Sequence, residues 1–103
     1  MLQGTVDILI LRTLAWEPMH GYAISRWLDA RSDGVLTVDG AALYQALHRL
    51  ENRKWVSATW GVSENNRKAK YYALTAAGKA QLRAESAVWR TYAEAVAKVL
   101  SPG

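Results

Sequence analysis

The segment DGAALYQALHRLENRKWV, residues 39–56, has the clearest helical period in the chain. At about 100° per residue its apolar side chains follow the spacing i, i+3, i+4, i+7 and form one stripe, the face that docks on a small core. The stripe consists of Leu43, Ala46, Leu47 and Leu50. Asp39 is a suitable N-cap, because its side-chain oxygen can accept an unpaired backbone N–H of the first turn. The segment predicts an amphipathic helix around which the other elements are organised.

The opposite face of this helix carries no carboxylate and mostly hydrogen-bonding side chains. Its members are Ala41, Tyr44, Gln45, His48, Arg49 and Asn52. Arg49, Arg53 and Lys54 make the C-terminal half of the segment positive, which suits both the helix dipole and an anionic partner. The face alone is open to two interpretations: a solvated polar surface, or a surface that binds an anion.

Composition places the chain among folded single domains. It has 103 residues, of which 50% are hydrophobic, with five Trp, five Tyr, no Phe and no Cys. The lack of Cys excludes disulfides, thiolate chemistry and Cys-based metal sites. No apolar run approaches the ~20 residues of a membrane span, and the N-terminus lacks the layout of a signal peptide. We therefore expect a cytoplasmic protein.

The net charge of +4 is unevenly distributed along the chain. Residues 1–38 sum to −1, residues 39–74 to +3 and residues 75–103 to +2. The positive excess thus begins at the amphipathic helix and continues beyond it. This distribution favours an anionic partner at that part of the molecule.

Two further helices are predicted before the amphipathic one. Residues 5–16 are apolar most of the way round the helix, so they need cover on two sides, and we expect a second copy of the chain to provide it. A short buried strand is the alternative for this run. Residues 20–30 form the next helix, which Ser32-Asp33-Gly34 ends, and residues 35–38 lead on as an extended piece. Two short helices joined by a tight connection are typical of a helix-turn-helix.

After the amphipathic helix the period changes from 3.6 to 2. Residues 56–62 alternate in polarity, residues 63–68 form a polar turn with Asn65-Asn66, and residues 69–74 return as a second strand. The basic side chains near the tip of this predicted hairpin are Arg67, Lys68 and Lys70. A solvated turn is one interpretation. A helix-turn-helix followed by a basic hairpin favours the other, a winged DNA-binding domain whose helix enters the major groove.

The last predicted helix covers residues 76–100 and is capped by Thr75, with Gly78 weakening its first turn. Leu82, Trp89 and Val96 recur every seven residues, which is typical of a coiled-coil seam. At about 37 Å the helix is too long to lie wholly over a domain of this size. We therefore expect a homodimer. Its interface residues would be Val6, Ile10, Leu82, Trp89, Tyr92, Val96 and Val99.

The predicted fold class is mainly α (α+β): a winged helix-turn-helix at residues 1–74, a dimerisation helix at residues 75–100, and a disordered tail at residues 101–103. Enzymatic function is not indicated, because there is no nucleophile–base pair and no phosphate loop. His20 and His48 lack partners at metal-ligand spacing, so we expect no cofactor or metal. His20 is interpreted as a structural turn residue or phosphate contact, and His48 as a DNA contact or a solvated side chain.

The motifs HGYAI at residues 20–24, LYQALHRLE at residues 43–51 and RKAKYYALTAAG at residues 67–78 resemble the PadR family of bacterial transcriptional regulators. The similarity is to the short form with a single C-terminal helix and covers nearly the whole chain. It implies a dimeric winged helix-turn-helix repressor that binds an inverted-repeat operator. The DNA contacts that it implies are Ala41, Ala42, Tyr44, Gln45, His48 and Arg49 on the helix, and Arg67, Lys68 and Lys70 on the wing.

The chain departs from the family pattern in two places. Ala41-Ala42 stands where the family has Gly-Ser or Gly-Thr, so a phosphate-binding hydroxyl is absent. Gln45 stands where Pro is frequent, and Gln can read adenine through N6 and N7. Multidrug-sensing members of the short form imply an alternative function, a sensor of planar aromatic molecules bound at Trp89 and Tyr92. The competing interpretation of Trp89 is a seam residue that fills the dimer core.

Overall fold

Four helices and a three-stranded antiparallel sheet form the structure, a computed structural model that describes residues 3–102. The sheet order is β1-β3-β2. In chain order the elements are α1 (Gln3–Trp16), β1 (Met19–His20), α2 (Gly21–Arg31), α3 (Gly40–Asn52), β2 (Val56–Val62), β3 (Lys68–Leu74) and α4 (Ala76–Leu100). The predicted fold class, a winged helix-turn-helix with a long C-terminal helix, is confirmed.

α1 is the centre of the hydrophobic core. It contacts α2, α3, β3 and α4, and Ile10 and Leu11 are fully buried. The chain itself thus covers Val6, Ile10, Leu11 and Leu14, whereas Ile8 and Leu9 are half-buried and Trp16 is exposed. Val6 is 6% exposed and Ile10 0%, so both leave little surface for the expected dimer interface, which stays a prediction. Their side chains are already packed inside one subunit.

The helices begin at the predicted caps. The Asp39 carboxylate accepts the Ala42 N–H at 3.0 Å, and the Thr75 hydroxyl accepts the Gly78 N–H at 3.0 Å. At α2 the cap is the His20 imidazole, whose Nδ1 accepts the Ala23 N–H at 3.2 Å. Each cap satisfies one of the backbone donors that the first turn of a helix leaves free.

The connections on either side of α2 follow the prediction at Gly34 and differ from it in one added strand. Gly34 takes the expected left-handed backbone, with φ of 80°, and ends the turn after α2. Residues 35–38 then have no regular secondary structure. The strand that the sequence did not predict is β1, whose Met19 and His20 pair with Tyr72 and Tyr71 of β3. It makes the sheet three-stranded and ties the start of α2 to the hairpin.

The start of α4 is locked onto the connection between α3 and β2. The Trp55 carbonyl accepts the Thr75 N–H at 3.1 Å, and the Lys54 carbonyl accepts the Thr75 hydroxyl at 2.8 Å. A Cβ at Gly78 would lie only 2.0 Å from the Trp55 carbonyl oxygen. Position 78 therefore needs glycine for this close approach, whatever the residue costs in helix propensity.

β2 and β3 form the predicted hairpin, called the wing below. Asn66 has φ of 57°, and the turn closes through a hydrogen bond from the Ser63 N–H to the Arg67 carbonyl at 2.8 Å. At the other end of the wing Val56 and Tyr72 are buried in the core. Burial raises the pKa of the Tyr72 hydroxyl, which therefore stays neutral.

α4 extends well beyond the core. Its first turns pack on α1 and β3, and Leu82 contacts the core cluster. Every residue from 87 to 100 is exposed, and the chain measures 56 Å along its longest axis. None of the helices within residues 3–102 combines the length and hydropathy needed to cross a bilayer.

Candidate nucleic-acid interface

An open groove of about 550 Å³ separates the start of α2 and one side chain of α3 from the wing. His20, Gly21 and Tyr44 line one wall, while Trp60, Arg67 and Lys68 are among the residues of the other. The groove brings together parts of all three motifs noted in the sequence. Its wing side carries a positive charge at its tip.

Tyr44 is held in place by a glycine. A Cβ at Gly21 would lie 2.5 Å from the Tyr44 hydroxyl oxygen and 2.7 Å from the adjacent ring carbon, so the tyrosine lies directly against the α2 backbone. The side chain is nevertheless 53% exposed. Tyr44 therefore lines the groove beside the N-terminus of α2, where the helix dipole favours an anion.

The predicted reading face of α3 is open to solvent. Ala41, Tyr44, Gln45 and His48 are exposed, and Ala42 is half-buried. They occupy the side of α3 opposite its buried stripe, which contains Leu43, Ala46, Leu47 and Leu50. An α-helix that presents such a face has the dimensions of the major groove of B-DNA.

Arg49 is not part of this open face. Its Nη2 donates to Asp7 Oδ1 of α1 at 2.7 Å, and its buried Nε has no hydrogen-bond partner among residues 3–102. The pair fixes α3 against α1 across the core. The ion pair indicates that Arg49 helps to position α3, while its expected contact with DNA stays a prediction.

Lys70 lines the groove but is also engaged within the chain. Its Nζ donates to Glu51 Oε1 of α3 at 3.2 Å and lies 5.7 Å from the centre of the Tyr72 ring. Lys70 therefore joins the wing to α3. Glu51 therefore neutralises part of the positive charge that Lys70 brings to the groove.

Arg67 and Lys68, at the tip of the wing, are exposed and take part in no ion pair among residues 3–102. The Lys68 Nζ lies 5.1 Å from the centre of the Trp60 ring. Glu64 is the acidic side chain in the lining, and its Oε1 is 3.8 Å from His20 Nε2. The tip thus offers two cations to an approaching anion.

Sequence reasoning missed two contributors to this surface. Tyr22 is exposed beside the groove, with the Arg26 guanidinium 5.8 Å from its ring centre. Trp60 is also exposed, although the alternation of β2 puts it on the same side of the strand as the buried Val56. No local sequence signal shows that this side of β2 is uncovered near the wing tip, because that depends on where the strand leaves the core.

A second candidate surface is the uncovered apolar side of α4. It consists of Val88, Trp89, Tyr92, Val96, Val99 and Leu100, all exposed. The ring centres of Trp89 and Tyr92 are 5.8 Å apart. Within residues 3–102 no cluster of three His, Asp or Glu side chains is arranged to hold a metal ion.

Comparison with known proteins identifies a family of transcriptional regulators. The model of the transcriptional regulator PadR-like family matches residues 10–84. A transcriptional regulator from Clostridium thermocellum is 26% identical, with a TM-score of 0.86 over 95% of this chain and 92% of that chain. A PadR-like transcriptional regulator from Bacillus cereus is 27% identical, with a TM-score of 0.84 over 100% and 98%. An uncharacterized protein of Lysinibacillus sphaericus is 33% identical over 82 residues, which are 80% of this chain and 75% of that protein.

Proposed function

Because the chain belongs to the PadR-like family of transcriptional regulators, a family of DNA-binding proteins and not of enzymes, we propose that it represses transcription as a homodimer bound to an inverted-repeat operator. The observation that carries the proposal is the groove between Tyr44 and the wing tip, with exposed Arg67 and Lys68. Such a protein acts in the cytoplasm, where the chromosome is.

In the proposed complex α3 lies in the major groove. Ala41, Ala42, Tyr44, Gln45 and His48 form the reading surface, and Gln45 is the side chain able to make a bidentate contact to adenine. Arg67 and Lys68 of the wing bind phosphates, which supply affinity and register rather than sequence information. Lys70 and Arg49 hold the wing and α3 in position through Glu51 and Asp7.

The proposed dimer forms through α4. Monomeric soluble proteins rarely expose a contiguous apolar patch as long as the one from Val88 to Leu100. Pairing two copies along this face buries it, and a two-fold axis then places both α3 helices on one side. Half-sites about 34–36 Å apart would match such a dimer. Residues 1–74 are the proposed DNA-binding unit and residues 75–100 the dimerisation element.

Variants of the wing are expected to change affinity and its salt dependence, whereas variants of α3 are expected to change base preference. Arg67→Ala should weaken binding to all duplexes alike and reduce the slope of log K against log salt by about 2, because the proposed dimer loses one phosphate contact from each subunit. Gln45→Ala should instead relax preference at one base pair by about 1–3 kcal/mol. Titration of labelled DNA from upstream of the gene, at several salt concentrations, measures both effects.

Arg90→Ala is the matched control, because Arg90 is exposed on the polar side of α4. It should change neither the slope nor the preference. Absence of binding by the wild-type protein at low salt would reject the proposal. An unaltered base preference in Gln45→Ala would reject base reading by that residue alone.

The apolar face of α4 also supports a second candidate function, the binding of a planar aromatic molecule between the Trp89 and Tyr92 side chains of two subunits.

The dimer and the ligand site are tested together. Sedimentation should give a dimer for the wild type and a monomer for Val96→Glu, because the new carboxylate would be buried in the seam. A planar aromatic cation should quench Trp emission in the dimer, and Trp89→Ala should abolish this quenching. A monomeric wild type contradicts the dimer, and unchanged emission contradicts the ligand site.

A further inference from the structure

Trp60 is an apolar side chain in the wall of a cationic groove. It is 64% exposed and lies opposite Lys70 in the register of β2 and β3. Val56 and Tyr72, on the same face of the sheet, are buried in the core. The face therefore continues past α3 as an uncovered apolar surface, on which Trp60 is the largest side chain and Val62 follows it.

The surroundings of the indole identify what can cover it. Lys68 Nζ lies 5.1 Å from the ring centre, Arg67 lines the same groove, and Tyr44 is across from it. A partner must therefore offer negative charge and apolar surface within a few ångströms of each other. The backbone of duplex DNA does so, because each phosphate is flanked by deoxyribose rings.

We propose that Trp60 packs against the deoxyribose rings of the strand whose phosphates bind Lys68 and Arg67. The inference rests on the proposed placement of duplex DNA against α3 and the wing. In B-DNA the bases are stacked inside the helix, so the sugars are the apolar surface that a backbone-tracking groove meets. Trp60 thus adds a non-ionic contact to a site whose other wing contacts are ionic.

Such a contact has two measurable properties. Sugars carry no direct sequence information, so the contact strengthens binding to operator and unrelated duplexes by the same factor. It releases no counterion, so it leaves the salt dependence of binding unchanged. These properties separate Trp60 from Gln45, which affects preference, and from Arg67, which affects the salt slope.

The test compares Trp60→Ala with Trp16→Ala. Trp16 is 67% exposed on α1 and does not line the groove, which makes it a matched control. Trp60→Ala should lower affinity about tenfold for operator and non-operator duplexes at every salt concentration, with the slope of the wild type. Trp60→Phe should recover much of the loss, and Trp16→Ala should bind as the wild type does.

Three outcomes would overturn the inference. Unchanged affinity in Trp60→Ala shows that DNA does not cover the indole. A loss accompanied by a smaller salt slope shows that Trp60 only positions Lys68. A loss confined to the operator shows base contact. Thermal unfolding of each variant verifies that the wing has folded. If the wild type binds no duplex, the proposed function itself fails, whereas a wild type that binds while Trp60→Ala matches it removes this inference alone.

Discussion

Gly78→Ala is expected to lower the free energy of unfolding by about 3 kcal/mol, the upper range for overpacking a closely packed site. The added Cβ would lie 2.0 Å from the Trp55 carbonyl oxygen and 3.0 Å from its carbon. Backbone atoms cannot swing aside, so the start of α4 must move away from the α3–β2 connection. This movement breaks the hydrogen bonds from Thr75 to Trp55 and Lys54.

Thermal unfolding measures the effect, and a fall in Tm of about 10 °C or more is expected for a chain of this size. Gly40→Ala is the control, because Gly40 is also helical and a Cβ there meets nothing within 4 Å. It should leave stability unchanged or raise it by up to about 1 kcal/mol through helix propensity. Equal stability of the two variants would contradict the close packing at Gly78.

Gly21→Ala is expected to reduce DNA affinity about tenfold or more while leaving the fold intact. The new Cβ would overlap the Tyr44 hydroxyl at 2.5 Å and displace the ring. Because Tyr44 is half exposed, the side chain can move into solvent, and the free energy of unfolding should change by less than about 1 kcal/mol. The displaced side chain no longer occupies its place in the groove wall, so a contact worth about 1–3 kcal/mol is expected to be lost.

Measurement of binding and unfolding on the same samples separates this effect from misfolding. The double variant Gly21→Ala/Tyr44→Ala tests whether the effect of Gly21→Ala acts through Tyr44. If it does, the double variant should bind no more weakly than Tyr44→Ala alone. Additive losses would show that Gly21 acts on DNA by a route that does not involve Tyr44. Wild-type affinity in Gly21→Ala would show that the position of the tyrosine is unimportant.

Local sequence signals predicted the elements well. Periodicity and the Thr75 cap placed the last helix at residues 76–100, and the structure has it at Ala76–Leu100. The Asp39 cap and the apolar stripe likewise located α3. β1 was missed because a strand of two residues has no period and depends on its pairing with Tyr71 and Tyr72.

The sequence could not predict contacts that no local pattern contains. The charge of Arg49 is visible in the sequence, but its partner Asp7 lies 42 positions away. The apolar circumference of α1 correctly indicated cover on several sides, yet only packing decides whether the cover is α2, α3 and α4 or a second chain. Gly21 and Gly78 carry no signal of their own, because the atoms that exclude a side chain there belong to Tyr44 and Trp55.

The continuity of α4 has a mechanical consequence. α4 is about 37 Å long in all. After Gly78 it contains neither glycine nor proline, the residues at which helices bend sharply. α4 should therefore move as a rigid rod that pivots about its exposed apolar half. In the proposed dimer the arm from the middle of the apolar half to the start of α4 is about 27 Å, so a tilt of about 5° between the two helices moves its far end by about 2 Å. In the proposed dimer, a small molecule bound between the two α4 helices would thus shift the spacing between the two α3 helices without deforming either DNA-binding unit.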